Sequence, residues 1–201
     1  MNDTGIFQGL LASVLTAVIA ENFVFARAFG ISPMISAAKN KRILPGVCLG
    51  VTYFTLLSSL AMWAITSLTG GYGGDKSFLA AVYALLSGGI YLFTLLCAFI
   101  FVRKKFAKLK KYVHISAFNS VVMGTIFLSA SGCKEFADFL IFGLAAGAGF
   151  SAASYTLSGV YSELYSENVP SAFRGFPAVM IFSGIMSMAV FGILGYAPSY
   201  I

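Results

Sequence analysis

Charge is what this chain has least of. Of its 201 residues only 10% are charged, while 59% are apolar and the mean hydropathy is +0.89. A soluble domain carries about 25% charged residues, so there is too little polar surface here to cover an apolar interior in water. A soluble enzyme is excluded. Histidine occurs once, as His114, and cysteine three times, as Cys48, Cys97 and Cys133, with no metal-ligand spacing among them. His114 stands beside a basic run and reads as an interfacial imidazole. Cys48 and Cys97 fall inside apolar blocks, where a free cysteine behaves as a small hydrophobe; Cys133 lies in a short external connection without an obvious disulfide mate. The alternating ten-residue segments of a transmembrane barrel are also missing. The N-terminal Met1-Asn2-Asp3-Thr4 lacks the basic start of a signal peptide, so the first apolar block is expected to be retained.

What is present is apolar sequence in six blocks, each near the ~20 residues of helix that cross a bilayer. They run from Ile6 to Phe29, Leu44 to Leu68, Phe78 to Val102, Val113 to Ala130, Phe136 to Val160 and Phe176 to Tyr196. Apolarity on all faces predicts an all-α integral membrane protein of six transmembrane helices, a single membrane domain over residues 1–201. Of the 13 lysines and arginines, Arg27, Lys39, Lys41, Arg42, the six within 103–111 and Arg174 follow the first, third and fifth spans. Only Lys76 and Lys134 fall on the other side. The positive-inside rule therefore predicts these connections in the cytoplasm of a bacterial inner membrane and both termini outside. The same rule accounts for the net charge of +6. The run Arg103 to Lys111 reads as a topology-fixing loop that meets anionic headgroups, and no nucleic-acid partner is expected.

The two halves, approximately 1–104 and 105–201, look related. An offset of 97 residues carries Ala20, Asn22 and Val24 onto Ala117, Asn119 and Val121, and Gly46 and Gly50 onto Gly143 and Gly147. With three spans in each half, the second half enters the membrane reversed, which predicts a 3+3 inverted repeat with functional groups near the interface of the halves. The two Gly-x-x-x-Gly motifs let helix backbones approach closely and are expected to pack within the monomer.

Polar groups inside the spans are the candidate functional residues. Glu21 and Asn22 lie in the first span, and Asn119 lies in the fourth. An ionisable side chain at membrane depth costs ~2.5–3.5 kcal/mol on insertion scales and therefore tends to be functional or paired. Gly30 and Pro33 are expected to break the first span after Arg27, and the fourth is expected to break likewise. Unwound backbone at that depth belongs where protein or a water-filled cavity surrounds it.

Glu21-Asn22-Phe23-Val24, followed by Phe29-Gly30-Ile31-Ser32-Pro33, resembles the first span of the Rnf/Nqr membrane proteins. The likeness is to the A-type subunit of the Rnf complex and equally to the E-type subunit of the sodium-translocating NADH:quinone oxidoreductase (Nqr). The resemblance continues through Asn119-Ser120, the segment Gly143 to Phe150, Glu167-Asn168-Val169-Pro170-Ser171-Ala172-Phe173-Arg174-Gly175, and Gly184-Ile185-Met186-Ser187. It implies a membrane subunit of an ion-translocating electron-transfer complex, paired with a homologous six-helix subunit of opposite topology or with itself, beside other Rnf/Nqr-like subunits. It further implies that two such subunits hold an iron–sulfur centre between them, each giving one cysteine from its first span and one from its fourth. At those two places this chain has Ser32 and Ser120. Clusters are held by thiolates, so no cofactor and no bound metal are expected here, and no catalytic residue is assigned. An inverted-repeat transporter of a small solute or ion, with Glu21, Asn22 and Asn119 on the path, and a non-redox structural pseudo-subunit are the alternatives.

Overall fold

The computed structural model of the chain describes residues 22–69, 76–101 and 106–194. Among these there are eight helices and no strand: α1 (Phe23–Arg27), α2 (Ile31–Lys39), α3 (Leu44–Thr69), α4 (Lys76–Phe101), α5 (Phe106–Ala117), α6 (Ser120–Gly132), α7 (Phe136–Leu164) and α8 (Phe176–Leu194). Most of the first expected span, including Glu21, lies outside the described residues. The all-helical class with membrane-length apolar helices is as expected. Segments Leu44–Leu68, Ala81–Ile100 and Phe136–Leu164 are long and apolar enough to cross a membrane, and α6 and α8 supply shorter apolar helices.

In an apolar solvent every backbone group must be satisfied within the chain, which favours helices. The hydroxyls follow the same logic: Thr52 donates to the Cys48 carbonyl, Thr94 to Ile90, Thr125 to Val121 and Ser151 to Gly147. Each of these hydroxyls thereby finds an acceptor on its own helix, one turn back.

The centre of the molecule is the pair α3 and α7. They touch where Gly143 and Gly147 of α7 lie against the backbone of α3. A Cβ at Gly143 would stand 3.0 Å from the Leu56 Cα, and one at Gly147 only 2.5 Å from the Thr52 Cα. The other glycine pair does a different job. Gly46 receives the ring of Tyr112, and Gly50 the hydroxyl of Ser116, so it admits α5. Both motifs therefore act inside the monomer. A single core of Phe23, Met34, Val51, Val121, Phe150 and Leu157 ties the short helices α1 and α2 to α3, α6 and α7. Helix α4 is peripheral: Leu85, Leu92, Phe93 and Leu96 are all exposed. A stripe of that size marks a face for lipid or for another protein.

The connection from α7 to α8 is held by Arg174, whose guanidinium donates to the carbonyls of Glu167 and Val169. Gly175 has a φ of +86° and donates its N–H to the Leu164 carbonyl at 3.1 Å. The Val169-Pro170-Ser171-Ala172-Phe173-Arg174-Gly175 part of the resemblance is thus a loop tie.

Candidate functional site

Two interruptions of the helices define the site. The first begins at Asn22, the N-cap of α1, whose side-chain oxygen accepts from the N–H groups of Val24 (3.1 Å) and Phe25 (3.2 Å). After five residues the helix stops at Ala28, which takes a left-handed φ of 57°. The Ala28 and Phe29 N–H groups bond back to the carbonyls of Val24 and Phe23. Gly30, at φ +76°, is the N-cap of α2. Pro33 lies in the first turn of α2, where a missing N–H costs nothing. The second interruption separates α5 from α6 at Phe118 and Asn119. Asn119 is the N-cap of α6, its side-chain oxygen accepting from the Val121 N–H at 3.1 Å.

The two interruptions meet. The Gly30 N–H donates to the Ser120 hydroxyl at 2.7 Å. A Cβ at Gly30 would lie 2.5 Å from a Val121 methyl, 3.2 Å from the Asn119 side-chain oxygen and 3.3 Å from the Phe150 ring. Asn22 reaches the same neighbourhood from the other side, its amide donating to the Gly149 carbonyl of α7 at 3.2 Å. Asn22 and Asn119 are both buried. The Asn119 amide nitrogen finds no acceptor among the described residues, an expensive condition for a buried donor. Ser32 and Ser120 are exposed, on the first turns of α2 and α6.

Three further contributors are not among the candidate site residues read from the sequence, although Gly149 and Ser187 lie in segments that carry the resemblance. The Ser187 hydroxyl of α8 donates to the Phe25 carbonyl at 2.5 Å, so it satisfies the end of α1. Gly149 provides the acceptor for Asn22, and Gly124 of α6 leaves room for the Phe29 ring, which a Cβ would meet at 2.6 Å.

The tight seat of Gly30 yields a test. Gly30→Ala adds a left-handed strain of ~1–2 kcal/mol to an overpacking cost of ~1–3 kcal/mol. The apparent melting midpoint of the purified protein in detergent is expected to fall by several degrees; an unchanged midpoint would contradict the packing described.

The match to known proteins spans nearly the whole of this arrangement. The family model for the Rnf-Nqr subunit membrane proteins covers residues 10–197. The chain belongs to the Rnf-Nqr membrane subunit family. Among its relatives is the A-type subunit of an ion-translocating oxidoreductase complex from Syntrophotalea carbinolica. It is 25% identical over 196 residues, covering 95% of this chain and 99% of the relative. The A-type subunit of the sodium-translocating ferredoxin:NAD+ oxidoreductase complex of Acetobacterium woodii is 24% identical over 194 residues, covering 92% and 97%.

For a member of the Rnf-Nqr family, the donor atoms at the junction decide which group could sit there. They are amides and hydroxyls. A serine hydroxyl is a harder and far less acidic ligand than a thiol, which titrates near ~8.5 and lower beside a metal. The Ser120 oxygen is moreover engaged by the Gly30 N–H. Cys48, Cys97 and Cys133 sit on α3, on α4 and at the end of α6, away from the junction. Among the described residues no three His, Cys, Asp or Glu side chains gather as a metal site would require. The residues at the junction do not fit an iron–sulfur centre.

Proposed function

We propose that this Rnf-Nqr family chain is a membrane-embedded subunit of an ion-translocating electron-transfer complex that scaffolds its neighbours without ligating an iron–sulfur centre. Its partner is a homologous six-helix subunit of opposite topology. The chain itself crosses a bacterial inner membrane six times as a 3+3 inverted repeat, with the basic connections in the cytoplasm and both termini outside. The observation that carries this reading is Ser120: a hydroxyl, paired with the Gly30 N–H, at a place where the resemblance implies a thiolate. The equivalent use of Asn22 and Asn119 as N-caps, 97 residues apart, supports the repeat.

The test is purification of the native chain from its own membranes with whatever accompanies it. A six-span homologue is expected to copurify, and iron assay and visible absorbance are expected to show no cluster that depends on this chain. Stoichiometric iron that is lost on Ser120→Ala would overturn the scaffold reading. Introducing Ser32→Cys together with Ser120→Cys is expected to add iron to the complex, because it restores sulfur at both places.

A further inference from the structure

A groove of about 510 Å³ lies between the start of α3, the end of α4 and α5. Leu49, Tyr53, Cys97, Ala98, Tyr112 and Val113 are among the side chains that line it. From Gly46 to Phe54 it follows α3 for eight residues, about 12 Å at 1.5 Å per residue, close to half of a ~30 Å hydrocarbon core. Its walls are apolar and it is open on one side. The absence of side chains at Gly46 and Gly50 keeps α5 close and makes the floor shallow.

Two of the three helices bring a described basic residue toward the groove. Arg42 lies in the turn just ahead of α3, four residues before Gly46, and on α5 Lys110 precedes Val113 by three, the spacing that stacks side chains on one helix face. Arg42 and Lys110 are exposed. An apolar slot one leaflet deep with cations at its mouth is complementary to one class of molecule, a lipid with an anionic headgroup.

We propose that this groove is a binding site for one anionic phospholipid. An acyl chain lies along Leu49, Tyr53 and Cys97, and the phosphate sits between Arg42 and Lys110. Basic pockets between membrane helices hold anionic headgroups because each nearby cation adds to the attraction, while the chain is held by packing rather than by any difference in hydrophobicity from bulk lipid. The proposal rests on the groove and its charges, and is independent of whether the complex carries a redox centre.

The experiment is a titration of the full chain, delipidated in detergent, read by native mass spectrometry. The probes are phosphatidylglycerol, phosphatidylcholine with the same chains, and glycerol phosphate as a headgroup without chains. One phosphatidylglycerol per chain is expected, bound about thirtyfold more tightly than phosphatidylcholine, the worth of two cations near an anionic headgroup. Glycerol phosphate is expected not to compete. Arg42→Gln with Lys110→Gln is expected to bring the two lipids level. Cys97→Trp, which fills the groove, is expected to weaken both. Leu49→Gln is expected to do the same without touching the core, since Leu49 is 73% exposed. Equal binding of the two lipids by the native chain would overturn the proposal in favour of ordinary boundary lipid. So would undiminished phosphatidylglycerol binding by Leu49→Gln, or a crosslink from Cys97 to another subunit in native membranes, which would put protein in the groove.

Discussion

Gly147→Val is expected to leave little folded protein on extraction, a larger effect than at any other glycine of the helix contacts. The reason is the nature of the neighbour. A Cβ at Gly147 would stand 2.5 Å from the Cα of Thr52 and 2.7 Å from its hydroxyl oxygen, so it meets backbone that no rotamer change can move. In lipid, helices are held together by packing and by hydrogen bonds rather than by a hydrophobic drive, and α3 against α7 is the central packed pair. One misplaced methylene in a packed core costs ~1–3 kcal/mol; valine adds a branched group in full overlap, which separates the two helices. The other glycines set a scale for the same measurement, the monodisperse fraction and melting midpoint in detergent. Gly143→Ala, at 3.0 Å from backbone, is expected to be damaging but milder. Gly46→Ala meets only the Tyr112 ring, which can swing aside, and is milder again. Gly159→Ala has no atom within 4 Å and is expected to be neutral or slightly stabilising. Equal behaviour of Gly147→Val and Gly159→Ala would show that α3 and α7 do not pack as described.

How far the sequence discloses this arrangement depends on the range of the interaction concerned. The long apolar runs over Leu44–Leu68 and Phe136–Val160 are legible because apolarity on every face has no other use in a chain this poor in charge. The observed helices start at the same residues, and α7 continues to Leu164. The fourth block is less simple. Its expected start at Val113 lies inside α5, which begins at Phe106 amid the lysines, and the chain breaks at Phe118 and Asn119. The break itself is readable, since Asn is a strong N-cap. Just past the first block Gly30 is legible for its φ > 0 position, whereas Ala28 inside it, which carries the other left-handed turn, is not. Pro33 permits the new helix to start and does not itself interrupt the old one.

Tertiary hydrogen bonds lie beyond such reading. Asn22 bonds to Gly149 across 127 residues, and Ser187 to Phe25 across 162. No local period encodes either pairing. The Gly-x-x-x-Gly motifs are an intermediate case: close packing is legible, but the identity of the partner helix is not. By sequence the two motifs are equivalent; in the fold one admits α5 and the other α3. Arg174 illustrates the converse. A segment specific enough to resemble a family invites a functional role, yet its guanidinium is spent on the carbonyls of its own loop.

The two asparagines, alike in sequence, are expected to differ sharply on truncation. Asn22→Ala removes the acceptor of two buried N–H groups and the donor to Gly149. Each buried group left unpaired costs ~1–3 kcal/mol, and membrane interiors supply no water to replace the partner, so a loss of ~3–5 kcal/mol and failure to purify as a single species are expected. Asn119→Ala loses one acceptor, for Val121, but also removes an amide nitrogen that has no acceptor among the described residues. The two effects oppose, and the net loss is expected to be ~1 kcal/mol or less. Serine sharpens the contrast, since it caps a helix about as well as asparagine and carries no amide. Asn119→Ser is therefore expected to match or exceed the native melting midpoint, whereas Asn22→Ser recovers the cap but not the reach to α7 and remains impaired. If Asn119→Ser instead proves as damaging as Asn22→Ala in the assembled complex while harmless in the isolated chain, the amide has a partner supplied from a neighbouring protein. The same pair of measurements thus separates an idle buried donor from one reserved for assembly. Equal damage in the isolated chain would defeat the argument that the Asn119 amide is unpaired.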